Sequence, residues 1–298
     1  MNNKKLGIIG VGMVGSALKK YFDGCEDVEI YLYDKNKGLG SPEEVNNADY
    51  IYLCVPTPYD KDKGYDNSYI EEAIGLIKGN KIVIIKSTTV PGTTEKLQQQ
   101  YPKHKILFNP EFLSEATAEE DMLFPDRQII GYTKQSYNVA KDVLLQLPLA
   151  PTEKIVPATI AELIKYFGNS WFATKVTFAN QMYDLCEKLG VDYEQVMDGV
   201  AADKRIGKTH LKIWHNGYRG FGGKCLPKDS KTIIRMADSL GVNLSVLKAV
   251  NAYNDELLAQ QGLDSLDTDK KVGEEKDKDP EWISGGELNK KIDRPSRQ

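Results

Sequence analysis

One cysteine of this chain stands in a setting suited to reactivity. Arg219 to Asp229 reads RGFGGKCLPKD, which places Cys225 between a glycine turn and the start of a helix. Phe221-Gly222-Gly223 lets the backbone approach a ligand closely, and Pro227 suits the first turn of the helix that follows. The positive end of that helix, together with Lys224 and Lys228, lowers a thiol's pKa and raises its thiolate fraction, which is the nucleophilic form. The competing reading is a small buried hydrophobe, the usual fate of a lone cysteine. A second constellation lies upstream. Glu162, Lys165 and Asn169 recur at intervals of three and four, so they share one helix face among Leu163, Ile164, Phe167, Trp171 and Phe172. That stripe reads either as the polar lining of a cleft or as a solvated face with a Glu-Lys pair.

The elements that must position these residues fall into two halves. Lys5 to Gly10 is a short apolar strand; Gly10, Gly12 and Gly15 follow as GVGMVG and open an amphipathic helix reaching about Phe22. A strand, a glycine turn, a helix and an acid about 20 residues on form the dinucleotide-binding pattern. The acid is Asp34, closing the strand Val28 to Asp34, where it would bond a ribose 2′-OH and so favour NAD over NADP. Lys35 and Lys37 leave a smaller opening for a 2′-phosphate, which Asp34 would repel. Further strands are expected at Tyr50 to Val55, Lys81 to Lys86, Lys105 to Phe108 and Gln128 to Gly131, separated by helices such as Ser68 to Lys78 and Thr93 to Gln100. This alternation predicts an α/β fold, a Rossmann-like doubly wound parallel sheet. Ligands bind such sheets beyond the carboxyl ends of the strands. Those positions here read VPTP (Val55 to Pro58), STTVPGTT (Ser87 to Thr94) and NPEFLSE (Asn109 to Glu115).

The second half reads as a smaller, all-helical central domain. Ala158 to Leu189 forms one long helix, expected to be largely buried and to act as hinge and dimerisation element, followed by helices at Tyr193 to Ala201, Asp229 to Leu240 and Ser245 to Gln260. The expected division is therefore 1–150 for the dinucleotide-binding domain, 151–261 for the helical domain with Cys225, and 262–298 for a tail. That tail is dense in both charges and is expected to be disordered.

The 298 residues, 41% of them hydrophobic, suffice for two modest domains, and a net charge of -4 gives no reason to expect nucleic acid. The four cysteines show no paired spacing suited to a metal, so none is expected. No segment reads as a signal peptide or membrane span, and the expectation is a cytoplasmic protein with no membrane partner.

With these pieces in place, the chain closely resembles the UDP-glucose/GDP-mannose dehydrogenase family from its N-terminus to about Gln260. The resemblance is carried by GVGMVG, CVPTP, STTVPGTT, NPEFLSEATA, PDRQIIG, AELIKYFGNSWFATK, DKRIG and above all FGGKCLPKD. It implies NAD-dependent oxidation of a nucleotide-sugar C6 alcohol to the acid in two hydride transfers, with UDP-glucose the first choice of substrate. By the same resemblance, Cys225 is the nucleophile that holds the aldehyde, while Lys165 and Asn169 stabilise the developing oxyanion. Thr88, Glu111 and Asp229 position water or relay protons, and Glu115 lies near the nicotinamide and the substrate. Gly10, Gly12, Val14, Gly15, Asp34, Thr57, Thr88, Glu115 and Lys228 would contact the cofactor. Glu111, Phe112, Leu113, Lys165, Asn169, Phe221 and Gly222 would lie along the sugar nucleotide. A homodimer through the long helix is implied as well. Two departures are noted: the stretch Lys35 to Asp49 is shorter than the family's usual insertion, and the family's C-terminal domain is not expected in this sequence. Two other readings stay open, a two-electron hydroxyacid-type dehydrogenase and a non-catalytic NAD- or sugar-nucleotide-binding module.

Overall fold

The alternating pattern is realised as an α/β fold in a computed structural model that describes residues 4–62 and 64–268. The boundary between its two compact units falls inside one helix, between Lys165 and Tyr166. The first unit runs β1 (Lys4–Ile9), α1 (Met13–Asp23), β2 (Val28–Tyr33), α2 (Pro42–Val45) and β3 (Tyr50–Leu53). A small hairpin of β4 (Tyr59–Asp60) and β5 (Gly64–Tyr65) comes next, then α3 (Ser68–Gly75), β6 (Ile82–Ile85), α4 (Thr93–Gln100) and β7 (Lys105–Phe108). It closes with α5 (Ala118–Leu123), β8 (Arg127–Tyr132), α6 (Ala140–Leu144), β9 (Thr152–Pro157) and the start of α7 (Ala158–Leu189).

Seven strands form one sheet in the order β2-β1-β3-β6-β7-β8-β9. Chain order reverses on either side of β1, so the crevice beyond the carboxyl ends of β1 and β3 is the topological switch point where such sheets bind dinucleotides. Alternate residues of each strand feed opposite cores. Ile51 and Leu53 pack with Ile70, Ile74 and Leu97 on one face, while Tyr52 packs with Leu18, Phe22 and Ile130 on the other.

The sheet departs from the expected one in two ways. β8 lies antiparallel to β7, with Phe108 opposite Gly131, whereas the other neighbours are parallel. Apolar periodicity marks a strand but carries no direction; the sheet is mostly parallel, as expected, with this one antiparallel pair. β9, paired parallel with β8, was not anticipated and carries the sheet past the expected boundary at residue 150. Its sequence, TEKIVP, has charges and a terminal proline in keeping with an edge strand.

The second unit contains the rest of α7, α8 (Tyr193–Ala201), a hairpin of β10 (Trp214–His215) and β11 (Tyr218–Arg219), α9 (Leu226–Ser239) and α10 (Ser245–Gln260). The hairpin is a small exception to an all-helical domain. Its turn is Asn216-Gly217, both with positive φ, the pair that favours a tight hairpin. Of the expected tail, residues 262–268 belong to the described chain, with Ser265 and Thr268 buried; the remainder lies outside the described residues.

α7 corrects a further expectation. Several of its large apolar residues are exposed, with Phe167 74%, Trp171 56% and Phe178 60% accessible, whereas Glu162, Lys165 and Asn169 are buried. The helix is buried along its polar and small-residue face, Ala161, Ala173 and Asn180 included, and open along its apolar one. Among the described residues, no helix is long and apolar enough to cross a membrane.

Candidate active site

The glycine turn after β1 is shaped by sterics that only glycine satisfies. Gly10 has φ +88, and a Cβ there would stand 2.6 Å from the carbonyl oxygen of Cys54, at the end of β3. A Cβ on Gly15 would stand 2.0 Å from the Gly10 carbonyl oxygen, so α1 packs directly on the turn. Gly12 is different: it is exposed and a Cβ would meet nothing within 4 Å. It caps α1 without any side-chain hydrogen bond, which leaves the first amides of the helix to an anion such as a pyrophosphate. Asp34 follows β2 and accepts from the Val11 amide at 2.8 Å, and through its other oxygen from the amides of Asn36 and Lys37. Lys37 Nζ donates to the Val11 carbonyl, and Lys35 pairs with Glu72. Both lysines thus have partners other than a 2′-phosphate, and the turn fits NAD. Val14 and Thr57 are half-buried near these strand ends.

Beyond β6 and β7 the first unit holds a buried polar cluster. Lys165 Nζ lies 2.7 Å from Glu111 Oε1, with both side chains under 10% accessible. Burial pushes the Glu111 carboxyl up, but the Lys165 ammonium and the Leu113 amide at 2.9 Å outweigh it and hold the group below its ordinary value. Phe112 forms an apolar wall: the Arg127 guanidinium stacks 3.9 Å from its ring centroid, and Lys165 Nζ lies 5.8 Å away. Next to this, Lys86 donates to Asn109 Oδ1 at 2.7 Å, and burial lowers its pKa from 10.5 to about 8. Thr88 is half-buried, and its carbonyl accepts from the Tyr65 hydroxyl at 3.1 Å. Glu115 is apart from the cluster, exposed, where it lines a shallow recess with Lys20, Thr117 and Glu120.

Glu162 is neither a solvated residue nor a partner of Lys165. Its carboxylate accepts from the Gly92 amide, the Thr94 amide and the hydroxyls of Thr89 and Thr94 at 2.6 to 3.0 Å. Gly92 caps α4 and has no side chain for the task, so α7 supplies a carboxylate to the positive end of α4.

In the second unit, Cys225 is the N-cap residue of α9, and its carbonyl accepts from the Asp229 amide at 2.9 Å. The thiol is exposed, which removes the reading as a buried hydrophobe. Cys186 is buried, and burial raises Cys25 and pushes the Cys54 thiol up to about 12. One turn along α9, Asp229 is 1% accessible and accepts from Asn169 Nδ2 at 2.5 Å and from Lys228 Nζ at 2.6 Å. Phe221 is buried and Gly222 half-buried in the turn before Cys225.

The structure therefore joins Glu111, Phe112, Leu113 and Lys165 in one cluster and Asn169, Lys228 and Asp229 in another. Sequence reasoning did not single out Lys86, Asn109 or Arg127. A charged residue closing an apolar strand, as Lys86 does in KIVIIK, was the available signal.

Comparison with known proteins follows the same division. Residues 34–146 match the NAD-binding domain of the UDP-glucose/GDP-mannose dehydrogenase family, and residues 159–256 match its central domain. The chain is 37% identical over 225 residues to the UDP-glucose 6-dehydrogenase of Rickettsia bellii, covering 72% of this chain and 51% of that protein. It is 35% identical over 226 residues to UDP-glucose 6-dehydrogenase TuaD of Bacillus subtilis, covering 72% and 48%. The chain thus spans about half the length of these relatives. Among solved structures, a UDP-glucose dehydrogenase from Pyrobaculum islandicum superposes with a TM-score of 0.75 at 30% identity, covering 87% of this chain and 71% of that one. A GDP-mannose dehydrogenase from Pseudomonas aeruginosa gives 0.57 at 26% identity, covering 86% and 69%. With its glycine turn, its buried Glu111–Lys165 pair and the cysteine loop in the matched sequence, this chain belongs to the UDP-glucose/GDP-mannose dehydrogenase family and carries that family's NAD-binding and central domains.

Proposed function

We propose that the chain oxidises the C6 alcohol of a nucleotide sugar to the carboxylate, UDP-glucose to UDP-glucuronate first among candidates, through a covalent adduct on Cys225. The observation that carries this reading is an exposed thiol at the N-cap of a 14-residue helix, four residues before a buried aspartate bound to Asn169. Each bound NAD+ would accept one hydride, so two NAD+ would serve in turn for each sugar oxidised. In the first oxidation the C6 hydroxyl gives up its proton and C6 its hydride, leaving an aldehyde. The Cys225 thiolate adds to C6 and forms a thiohemiacetal, whose oxygen anion is stabilised by the Lys165 ammonium and the Asn169 amide. Loss of the second hydride leaves a thioester; water attacks it, the C–S bond breaks, and the acid departs as the thiol is restored. Glu111 and Asp229 are the carboxylates assigned to holding that water and moving its proton. Support comes from the Lys165 ammonium beside Glu111, which outweighs burial and keeps that carboxylate in its anionic, proton-accepting form, and from the placement of Asp229 beside Lys228.

The test is incubation with NAD+ and a panel of UDP-glucose, UDP-N-acetylmannosamine, UDP-N-acetylglucosamine and GDP-mannose. Two NADH per sugar consumed is the expected outcome, and no turnover of any by folded protein sinks the reading in favour of a binding module. Cys225→Ala should abolish the acid product; full oxidation by that variant would rule out the covalent path. We further propose that the chain dimerises through α7, supported by the exposed stripe of Ile160, Leu163, Phe167, Trp171, Phe178, Leu185 and Leu189 at helical spacing.

A further inference from the structure

The loop that carries Cys225 is held at every second residue by α10 and the segment just beyond it. The Arg219 amide donates to Gln261 Oε1 at 2.9 Å, and the Arg219 carbonyl accepts from Gln261 Nε2 at 3.1 Å. The Phe221 amide donates to Asn254 Oδ1 at 2.7 Å, and its carbonyl accepts from Asn254 Nδ2 at 2.8 Å. The Gly223 amide donates to Thr268 Oγ1 at 2.8 Å. Three side chains thus hold the peptide groups of residues 219, 221 and 223, while Gly220 and Gly223, both with positive φ, turn the loop between and after them.

Thr268 is the grip nearest the nucleophile, and it comes from the segment that composition alone marks as a tail. It is 1% accessible. A Cβ on Gly222 would stand 2.4 Å from Thr268 Cγ2 and 2.7 Å from the Tyr218 hydroxyl, so the glycine is what lets Thr268 reach the turn. The segment is anchored in its own right. Ser265 Oγ donates to Asp255 Oδ1 at 2.6 Å, and Asp255 Oδ2 accepts from Lys231 Nζ at 2.5 Å. Lys231 belongs to α9, the helix that Cys225 caps. The contacts therefore close a ring: Cys225, α9, Asp255, Ser265, Thr268, Gly223 and back to Cys225.

We infer that Thr268 is a positioning residue for Cys225, with residues 263–268 acting as a strap that fixes the glycine turn against the start of α9. The inference rests on the role of Cys225 proposed above, and it places part of the reaction's machinery outside the two matched family domains. A helix N-terminus activates a thiol only while the thiol is held against it, because the effect fades within the first turn.

The test compares the full chain with Thr268→Val, which keeps the shape and removes the acceptor, and Thr268→Ser, which keeps the acceptor. Loss of one hydrogen bond should speed hydrogen exchange in Gly220 to Cys225 about fivefold in the valine variant and leave the serine variant near wild type. Gly222→Ala, which pushes Thr268 away from the other side, should speed the same exchange. Iodoacetamide alkylation of Cys225, read by peptide mass spectrometry, should slow by a similar factor in Thr268→Val and recover in Thr268→Ser. If wild type turns over a nucleotide sugar, kcat should fall with it while KM for NAD+ stays unchanged. Unchanged exchange and alkylation in both Thr268→Val and Gly222→Ala would overturn the strap. Exchange accelerated throughout α9 and α10, with no serine rescue of alkylation, would reduce Thr268 to ordinary stability and overturn its positioning role. Absence of turnover by wild type removes the proposed function but leaves exchange and alkylation to decide the strap.

Discussion

Lys86 shows how a single buried residue couples this sheet to pH. Burial in the first unit opposes its positive charge, and Asn109 Oδ1 is a neutral acceptor, so the folded chain holds the proton less tightly than the unfolded one. Below about 8 the amine is protonated in both states, and the cost of a buried cation is fully present. As pH rises from about 8 toward 10.5, the folded amine loses its proton while the unfolded one keeps it, so the unfolded state binds more protons and stability rises. Wild type should therefore gain stability relative to Lys86→Met across that window, as read by urea unfolding at a series of pH values; parallel profiles would refute the assignment. Glu111 has the opposite sign. Its folded pKa is depressed, so its contribution is present above the unfolded pKa and is lost as pH falls through the folded one. The two groups flank the cluster that holds Lys165, whose positive charge lowers both.

At the scale of elements, α7 does three separate jobs with one polar face. Glu162 caps α4, Lys165 pairs with Glu111, and Asn169 binds Asp229 of α9. Spacing shows that the three share a face but not that each has its own partner, since partners are supplied by elements far away in sequence. Glu162→Ala should destabilise the first unit by about 3 kcal/mol, because the buried Thr94 amide and the half-buried Gly92 amide at the start of α4 lose their acceptor. Glu162→Gln, which keeps one acceptor oxygen, should cost less, and equal unfolding midpoints for alanine and wild type would contradict the capping role. The elements were largely legible from the sequence. β1, β3, β6 and β7 lie where apolar runs bounded by turn residues place them. β9 was not, because an edge strand with charges and a terminal proline lacks that apolar signal.

At the scale of the whole molecule, the apolar stripe on α7 demands a partner or an explanation. Exposed apolar residues such as Phe167, Trp171 and Phe178, gathered on one side of a helix, are the kind of surface that marks an interaction site. Sedimentation equilibrium should give a dimer, and Phe167→Glu or Phe178→Glu should give a monomer with unchanged helical circular dichroism; a monomeric wild type would dispose of the α7 dimer. The sequence by itself determined the features whose physics is local. A tight turn at Gly10 and Gly15 needs residues without a Cβ, Asp34 ends a strand, and Cys225 falls where a glycine turn meets a proline-started helix. Those are statements about sterics and dihedrals within a few residues. Tertiary structure alone decided which carboxylate faces Lys165, which side of α7 is buried, which way β8 runs, and that Thr268 closes on the cysteine loop. Each of these depends on which distant groups share a desolvated space, and hydrophobic periodicity along the chain carries no information about that choice.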